Sequence, residues 1–294
     1  MEKNPIEGKY LGQRVEYPQQ YSPEYLVAVP RSLNREIYGL DNSNLPFVGV
    51  DVWHAWELSF LTEKGLPVAG VIKLIYPADS PSIVESKSFK LYLNGFNMSR
   101  FGSTREEGIT IVKDLIKKDL SSVLETSVIV TFFPAYASEG GADFADWQLL
   151  EELPEIETTE FVAYTETPAL FQTSSGNEKE LRVASHLLRS NCKITHQPDW
   201  GSAFIYIKGN MLPDKLSLLK YLVSIRNENH FHEEICEMIY KRLVDAFAPE
   251  DLMVTTIYTR RGGIDICPVR ASKASLLPLA LTSADQLSKK LIRQ

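Results

Sequence analysis

Two stretches of this chain spell out the same order of elements, and that repetition limits the fold more than any single motif. Residues 48–60 and 67–76 are β-favouring runs joined by Thr62-Glu63-Lys64-Gly65, which predicts a long antiparallel hairpin. A helix over about 86–97 follows. A second helix opens at Ser103-Thr104-Arg105-Glu106-Glu107, where Thr104 and Glu107 have capping-box spacing, and Ile109, Ile111, Val112, Leu115 and Ile116 give it an apolar stripe. Residues 127–133 then read as a short buried strand.

The second half repeats this grammar with a strand at 202–208, helices near 213–224 and 231–247, and strands at 252–258 and 264–269. Arg261-Gly262-Gly263 is the turn between the last two. Lys90-Leu91-Tyr92-Leu93 ahead of Phe96-Asn97 parallels Lys220-Tyr221-Leu222-Val223 ahead of Arg226-Asn227, and Glu106-Glu107 aligns with Glu233-Glu234. The pattern predicts two β-β-α-α-β-β-like modules of α+β class, 1–155 and 156–294, with a polar, acidic connector around 151–159.

At 294 residues, 44% hydrophobic and 23% charged, the chain has a globular composition and enough length for two modest cores. It has no run of about 18 apolar residues, and Met1-Glu2-Lys3-Asn4-Pro5 lacks a signal-peptide hydrophobic region, so a soluble, cytoplasmic protein is expected. The three cysteines, Cys192, Cys236 and Cys267, have no disulfide or metal-site spacing and read as free thiols. A net charge of −7 argues against a broad nucleic-acid surface. A free base or a nucleotide cofactor needs only a few local cations, which Lys87, Lys90, Arg260 and Arg261 can supply.

Cys192 sits between Asn191 and Lys193 in a polar stretch that Pro198 later interrupts, which predicts an accessible thiol outside any regular apolar element. A thiolate adds to electrophilic carbon, including that of a nitrile, and Asp199 is placed to take and return the proton. From composition alone an isolated cysteine is more often an inert core residue. Cys236, on a helical stripe with His232, Ile239 and Tyr240, and Cys267, in the strand Ile264-Asp265-Ile266-Cys267, read that way. Cys192 and His196 have C-x-x-x-H spacing, but zinc wants three or four protein ligands, and His230 and His232 would complete a set only by coincidence of folding.

Glu85 precedes a helix and can aim its carboxylate at the N–H edge of a guanine-like ring, while His232 and Glu233 offer a second carboxylate beside a proton carrier. The plainer reading of both glutamates is that helix N-termini favour acids. Lys87 and Lys90 lie near a helix start, where free backbone N–H groups also favour an anion such as a cofactor phosphate. Arg260-Arg261-Gly262-Gly263 puts two guanidiniums at a turn, suited to a 2′-phosphate or simply solvated. No G-x-G-x-x-G follows a strand, which disfavours a Rossmann cofactor site.

Taken together, Glu85-Ser86-Lys87-Ser88-Phe89-Lys90-Leu91-Tyr92 and Asn191-Cys192-Lys193-Ile194-Thr195-His196-Gln197-Pro198-Asp199-Trp200 resemble the signatures of the NADPH-dependent 7-cyano-7-deazaguanine reductases, which reduce a nitrile to an amine on the way to queuosine. The resemblance covers most of the chain and is to the long, two-module form. It implies tandem tunnelling-fold modules, antiparallel sheets joined edge to edge with helices on the outer face, and a homodimer. It implies that Cys192 forms a thioimide, that Asp199 donates the proton, and that His232 assists. Ile83, Val84, Glu85, His232 and Glu233 would hold the deazaguanine. Ser86, Lys87, Lys90, Arg261 and Gly262 would hold NADPH, with two NADPH used per nitrile and no metal. Trp200, Phe231 or Tyr92 would stack on the ligand or belong to the core. A cysteine-dependent hydrolase or amidinotransferase, needing no NADPH, and a non-catalytic nucleobase-binding module remain as other classes.

Overall fold

The computed structural model describes residues 17–135, 137, 138 and 140–294. The first sixteen residues of the expected N-terminal module lie outside the described residues. Strand β1 (Ala28–Pro30) and the one-turn helix α1 (Ser32–Arg35) lead into the hairpin, β2 (Val48–Leu61) and β3 (Pro67–Pro77), which pairs antiparallel with a bulge between Ala55 and Leu58. A short strand β4 (Ser82–Val84) pairs with β1 and delivers the chain into α2 (Ser86–Asn94). Helix α3 (Arg105–Leu124) follows, then β5 (Ile129–Pro134).

The α3 cap is a shifted version of the expected box. Thr104 Oγ1 accepts from the Glu107 N–H at 3.2 Å, while the Glu107 carboxylate accepts from the N–H of Ser103, not of Thr104. Strand β5 corrects the expectation of a buried strand at 127–133. It is the outermost strand beyond β3, with Ile129 50% exposed, because nothing pairs with its far side among the described residues.

The connector holds β6 (Gln148–Leu149) and two 3₁₀ turns, Leu150–Glu152 and Ile156–Thr158. Strands β7 (Glu180–Ser185) and β8 (Arg189–Cys192), absent from the sequence reading, pair with opposite ends of one edge of β9 (Pro198–Lys208). Next come α4 (Lys215–Ser224), the two-residue strand β10 (Asn229–His230), α5 (His232–Phe247), the strands β11 (Asp251–Tyr258) and β12 (Ile264–Ala271), and α6 (Leu279–Thr282). Helix α4 stands to α5 as α2 stands to α3, as the parallel between 90–97 and 220–227 predicts.

Both halves contribute to one ten-stranded sheet. Its seam is the antiparallel pairing of β12 with β2, from Ile264↔Ala55 to Ala271↔Val48. This is the edge-to-edge joining of antiparallel sheets expected for the fold class. Helices α2 and α3 pack on the first half around Trp53, Phe60, Phe89, Ile116 and Leu120, and α4 and α5 on the second around Ile205, Leu219, Leu222 and Ile239. The opposite face, with Val52, Ile75, Phe204 and Cys267, is covered by Phe144, Trp147, Leu281 and Leu291.

A buried charge network ties α5 to the seam. Arg270 of β12 donates to Asp51 of β2 at 2.8 Å and to Glu237 of α5 at 2.8 and 3.0 Å. Arg35 donates to both Glu237 oxygens at 2.7 and 2.9 Å, and Arg31 donates to Asp51. Burial opposes ionisation of Asp51 and Glu237, yet the guanidiniums hold both carboxyls below their ordinary values. Removing one partner leaves buried charge uncompensated. Glu237→Gln is therefore expected to destabilise the protein by about 3–5 kcal/mol, read as a lower urea midpoint at unchanged slope.

Candidate active site

Strand ends bring the chemistry together. Cys192 is the last residue of β8, and β10 runs parallel to it with His230 opposite Cys192, so the first turn of α5 is delivered beside the thiol. The β8–β9 connection is pinned by Cys192 N–H to Gln197 O at 2.8 Å and His196 N–H to Cys192 O at 3.0 Å. His196 adopts φ +56° there. Asp199, at the start of β9, pairs with Ser190 across the hairpin. Cys192 is only 4% exposed, which corrects the expectation of an accessible thiol outside regular structure. The polar flanks that suggested a loop belong to a short strand whose pairing comes from segments distant in sequence.

Cys192, Asp199, His232, Glu233, Val84 and Phe231 line one inner pocket, with Trp53, Ser86, Arg261 and Ile266. Asp199 Oδ2 lies 3.4 Å from His232 Nε2, and its Oδ1 lies 2.7 Å from Arg261 Nη1. The His232 ring packs on Tyr258 with centroids 3.9 Å apart. Glu233 is 2% exposed and its Oε1 has no hydrogen-bond partner in the protein. Burial first, and the Asp51 charge second, push its carboxyl up to about 8.

The inner pocket adjoins a cavity of about 340 Å³ lined by Ser86, Lys87, Lys90, His232, Arg261 and Gly262 among others. Ser86, His232, Arg261 and Ile266 form walls of both. Every residue expected to hold NADPH is thus on the outer cavity. A Cβ at Gly262, where φ is +60°, would stand 3.1 Å from Lys90 Nζ, so glycine leaves that ammonium its space. Two ammonium groups over an open cavity fit the phosphates of a nucleotide cofactor.

The α2 start and Arg261 differ in setting from what the sequence suggested. Both Glu85 oxygens accept from its own helix, from the N–H of Lys87 at 3.0 Å and of Ser88 at 2.6 Å, and Val84 and Ser86 on either side of it line the pocket. That cap also occupies backbone N–H groups at the α2 start that were expected to face a phosphate. Ile83 is buried next to Val84, and Arg261, on the wall of both spaces, is also paired with Asp199. Among the aromatics, Phe231 is on the wall. Tyr92 is fully buried and bonded to Asp119, and Trp200 lies under Arg189 and Arg226.

As for metal ligands, His196 Nδ1 is bonded to Asn229 and is not on the pocket wall. Among the described residues one other group, His54, Asp265 and Cys267, could gather an ion. The Lys290 ammonium already sits 3.1 Å from His54 Nδ1 and 3.4 Å from Asp265. Burial pushes the thiols of Cys236 and Cys267 up, which agrees with their reading as packing residues.

Fold and site together define a class: an α+β protein in which a thiol, a carboxylate and an imidazole share a pocket that opens onto a lysine-lined cavity. Two family models match. One described as nitrile reductase, 7-cyano-7-deazaguanine-reductase N-term covers residues 17–132, and one described as QueF-like protein covers 198–275. An NADPH-dependent 7-cyano-7-deazaguanine reductase of Dechloromonas aromatica is 43% identical over 92% of this chain and 92% of its own length. Proteins of the same name from Colwellia psychrerythraea and Chromohalobacter salexigens are 42% and 40% identical, covering 92% and 96% of this chain and 94% and 98% of their own. The chain belongs to the family of NADPH-dependent 7-cyano-7-deazaguanine reductases.

The raised Glu233 carboxyl has a measurable cost. The unfolded side chain ionises near 4.5 while the folded one holds its proton to about 8. Unfolding therefore releases a proton between those values, and stability falls as pH rises through that window. Glu233→Gln is expected to be more stable than wild type near pH 8 by on the order of 3 kcal/mol and equal to it near pH 4, measured by urea unfolding at both pH values.

Proposed function

We propose that this chain reduces the nitrile of 7-cyano-7-deazaguanine to the amine of 7-aminomethyl-7-deazaguanine, using two NADPH, in queuosine biosynthesis. The observation that carries the reading is the convergence of Cys192, Asp199, His232 and Glu233 on one pocket adjoining the Lys87 and Lys90 cavity.

Glu233 receives the N–H edge of the ring, since its unpartnered Oε1 is the atom that such a donor satisfies. Glu85, whose two oxygens each accept one cap hydrogen bond, keeps a second acceptor site on each for the ring. The Cys192 sulfur adds to the nitrile carbon, and Asp199 takes the thiol proton and passes it to the nitrile nitrogen, giving a thioimide. NADPH would supply hydride twice, covering the four electrons between nitrile and amine: after the first reaches the thioimide carbon the C–S bond breaks, returning Cys192 as thiolate and leaving an imine, and the second reduces that imine. His232, 3.4 Å from Asp199, is the route by which further protons reach the nitrogen. Burial of Cys192 keeps water from the tethered carbon. Lys87 and Lys90 hold phosphate, with Ser86 and Gly262 shaping the floor beneath it. We further read 1–155 and 156–294 as two modules, the open edge at β5 as compatible with a homodimer, and the cytoplasm as the location; no helix among the described residues is long and apolar enough to cross a membrane.

Incubation with 7-cyano-7-deazaguanine alone is expected to add the substrate mass to the intact protein, and Cys192→Ala to abolish that adduct. Addition of NADPH should then consume two equivalents per amine formed. Absence of both adduct and oxidation would sink the reading in favour of a hydrolase or a binding protein. Lys90→Ala is expected to raise the KM for NADPH about tenfold or more with little change in kcat, the signature of lost uniform binding.

A further inference from the structure

His230 makes more contacts than any role so far uses. It is the second residue of β10, and its Cα is registered against that of Cys192. Its Nδ1 lies 3.2 Å from Glu234 Oε2, and its Nε2 lies 3.4 Å from Glu228 Oε2 and 3.2 Å from the Tyr38 hydroxyl. Burial works against a charged ring here, but the hydrogen bonds it donates to Glu228 and Glu234 prevail and lift it to about 9. Glu228 is held below its ordinary value by the same contact.

The two residues whose carboxylates grip His230 also bind the neighbours of the thiol, Glu234 by its side chain and Glu228 by its backbone carbonyl. Glu234 accepts from the Phe231 N–H at 3.0 Å, closing the α5 cap, and from Lys193 Nζ at 3.1 Å. Lys193 directly follows Cys192. On the other side, the N–H of Asn191 donates to the Glu228 carbonyl at 2.8 Å. Cys192 is therefore tied through both chain neighbours to the segment that carries His230, and the two residues line the same pocket. With both ring nitrogens engaged, His230 has no atom left to exchange a proton with a ligand.

We propose that His230 is a positioning residue for Cys192: gripped between Glu228 and Glu234, it holds the end of β8 against the start of α5 and so aims the sulfur at the carbon to be attacked. The proposal rests on Cys192 being the nucleophile. Residues that bind the ring, above all Glu233, lie beyond it on α5 and are placed separately through Asp51 and Glu237.

The test compares wild type, His230→Gln, Cys192→Ala and the double variant Cys192→Ala/His230→Gln. Adduct formation with 7-cyano-7-deazaguanine, without NADPH, is timed by intact mass, and ring affinity in the Cys192→Ala background is measured by calorimetry. His230→Gln is expected to slow adduct formation about tenfold or more, because small misplacements of a reacting atom are costly. The affinities of Cys192→Ala and the double variant should agree within about twofold. An adduct rate like that of wild type overturns the proposal, and so does an affinity that falls as far as the rate, which would make His230 part of the ring pocket. Should His230→Gln fail to fold by circular dichroism, Glu228→Gln takes its place. There, slower adduct formation at unchanged affinity supports the proposal and an unchanged rate overturns it. A wild type that forms no adduct removes the functional reading itself, and the proposal falls with it.

Discussion

The structure depends on the contact of Arg270 with Asp51 and Glu237. It sits where β12 meets β2, the longer of the two pairings that join strands of the two halves among the described residues, and Glu237 extends it to the helix that carries His232 and Glu233. Burying these charges is unfavourable in itself, and a well-packed apolar replacement would give equal stability in many proteins. What the network adds is direction: guanidinium and carboxylate geometry fixes the rotation of α5 about its axis and its height above the seam. Glu233 lies one turn before Glu237 on the same face, so that rotation decides where its unpartnered oxygen points.

The site is built from the ends of elements. Cys192 closes a strand, Asp199 opens one, and His232 and Glu233 begin a helix, so each side chain is held by regular hydrogen bonding on one side and faces open space on the other. Glu85 and Glu233 show how alike two such positions are and how differently they resolve. Glu85, preceding its helix, turns back and satisfies two N–H groups, whereas Glu233, already inside its helix, leaves its Oε1 without a hydrogen-bond partner in the protein. Burial of that carboxyl, with the Asp51 charge behind it, raises its affinity for a proton.

Much of the fold was legible because it is written in local patterns. The hairpin over 48–77, the two helix pairs and the Arg261-Gly262-Gly263 turn follow from periodicity, caps and glycine alone. Strands β7 and β8 were not legible, since they are short, polar and defined by pairing with β9. The motif around Cys192 brought together the residues that share the pocket but misjudged their setting: polar neighbours suggested exposure, whereas β8, paired with β9 and β10, holds the thiol buried. His230 drew notice only as a fourth zinc ligand, because nothing in the sequence says that Glu228, Glu234 and Tyr38 surround it. Arg261 was assigned to the cofactor on its charge and on the family resemblance, and its pairing with Asp199 appears only once the turn is folded against β9.

The pocket draws Trp53, Val84 and Ser86 from the first half of the chain and Cys192, Asp199, His232 and Glu233 from the second. Either half alone would hold a thiol without the lysine-lined approach, or the lysines without a thiol. Were the two halves separate proteins, each would have to find the other before the pocket was whole, and the fraction assembled would fall on dilution by mass action. Covalent joining converts that encounter into an intramolecular one, at an effective concentration set by the connector rather than by the cell. In this chain the pocket residues of the two halves therefore meet without a bimolecular encounter between the halves.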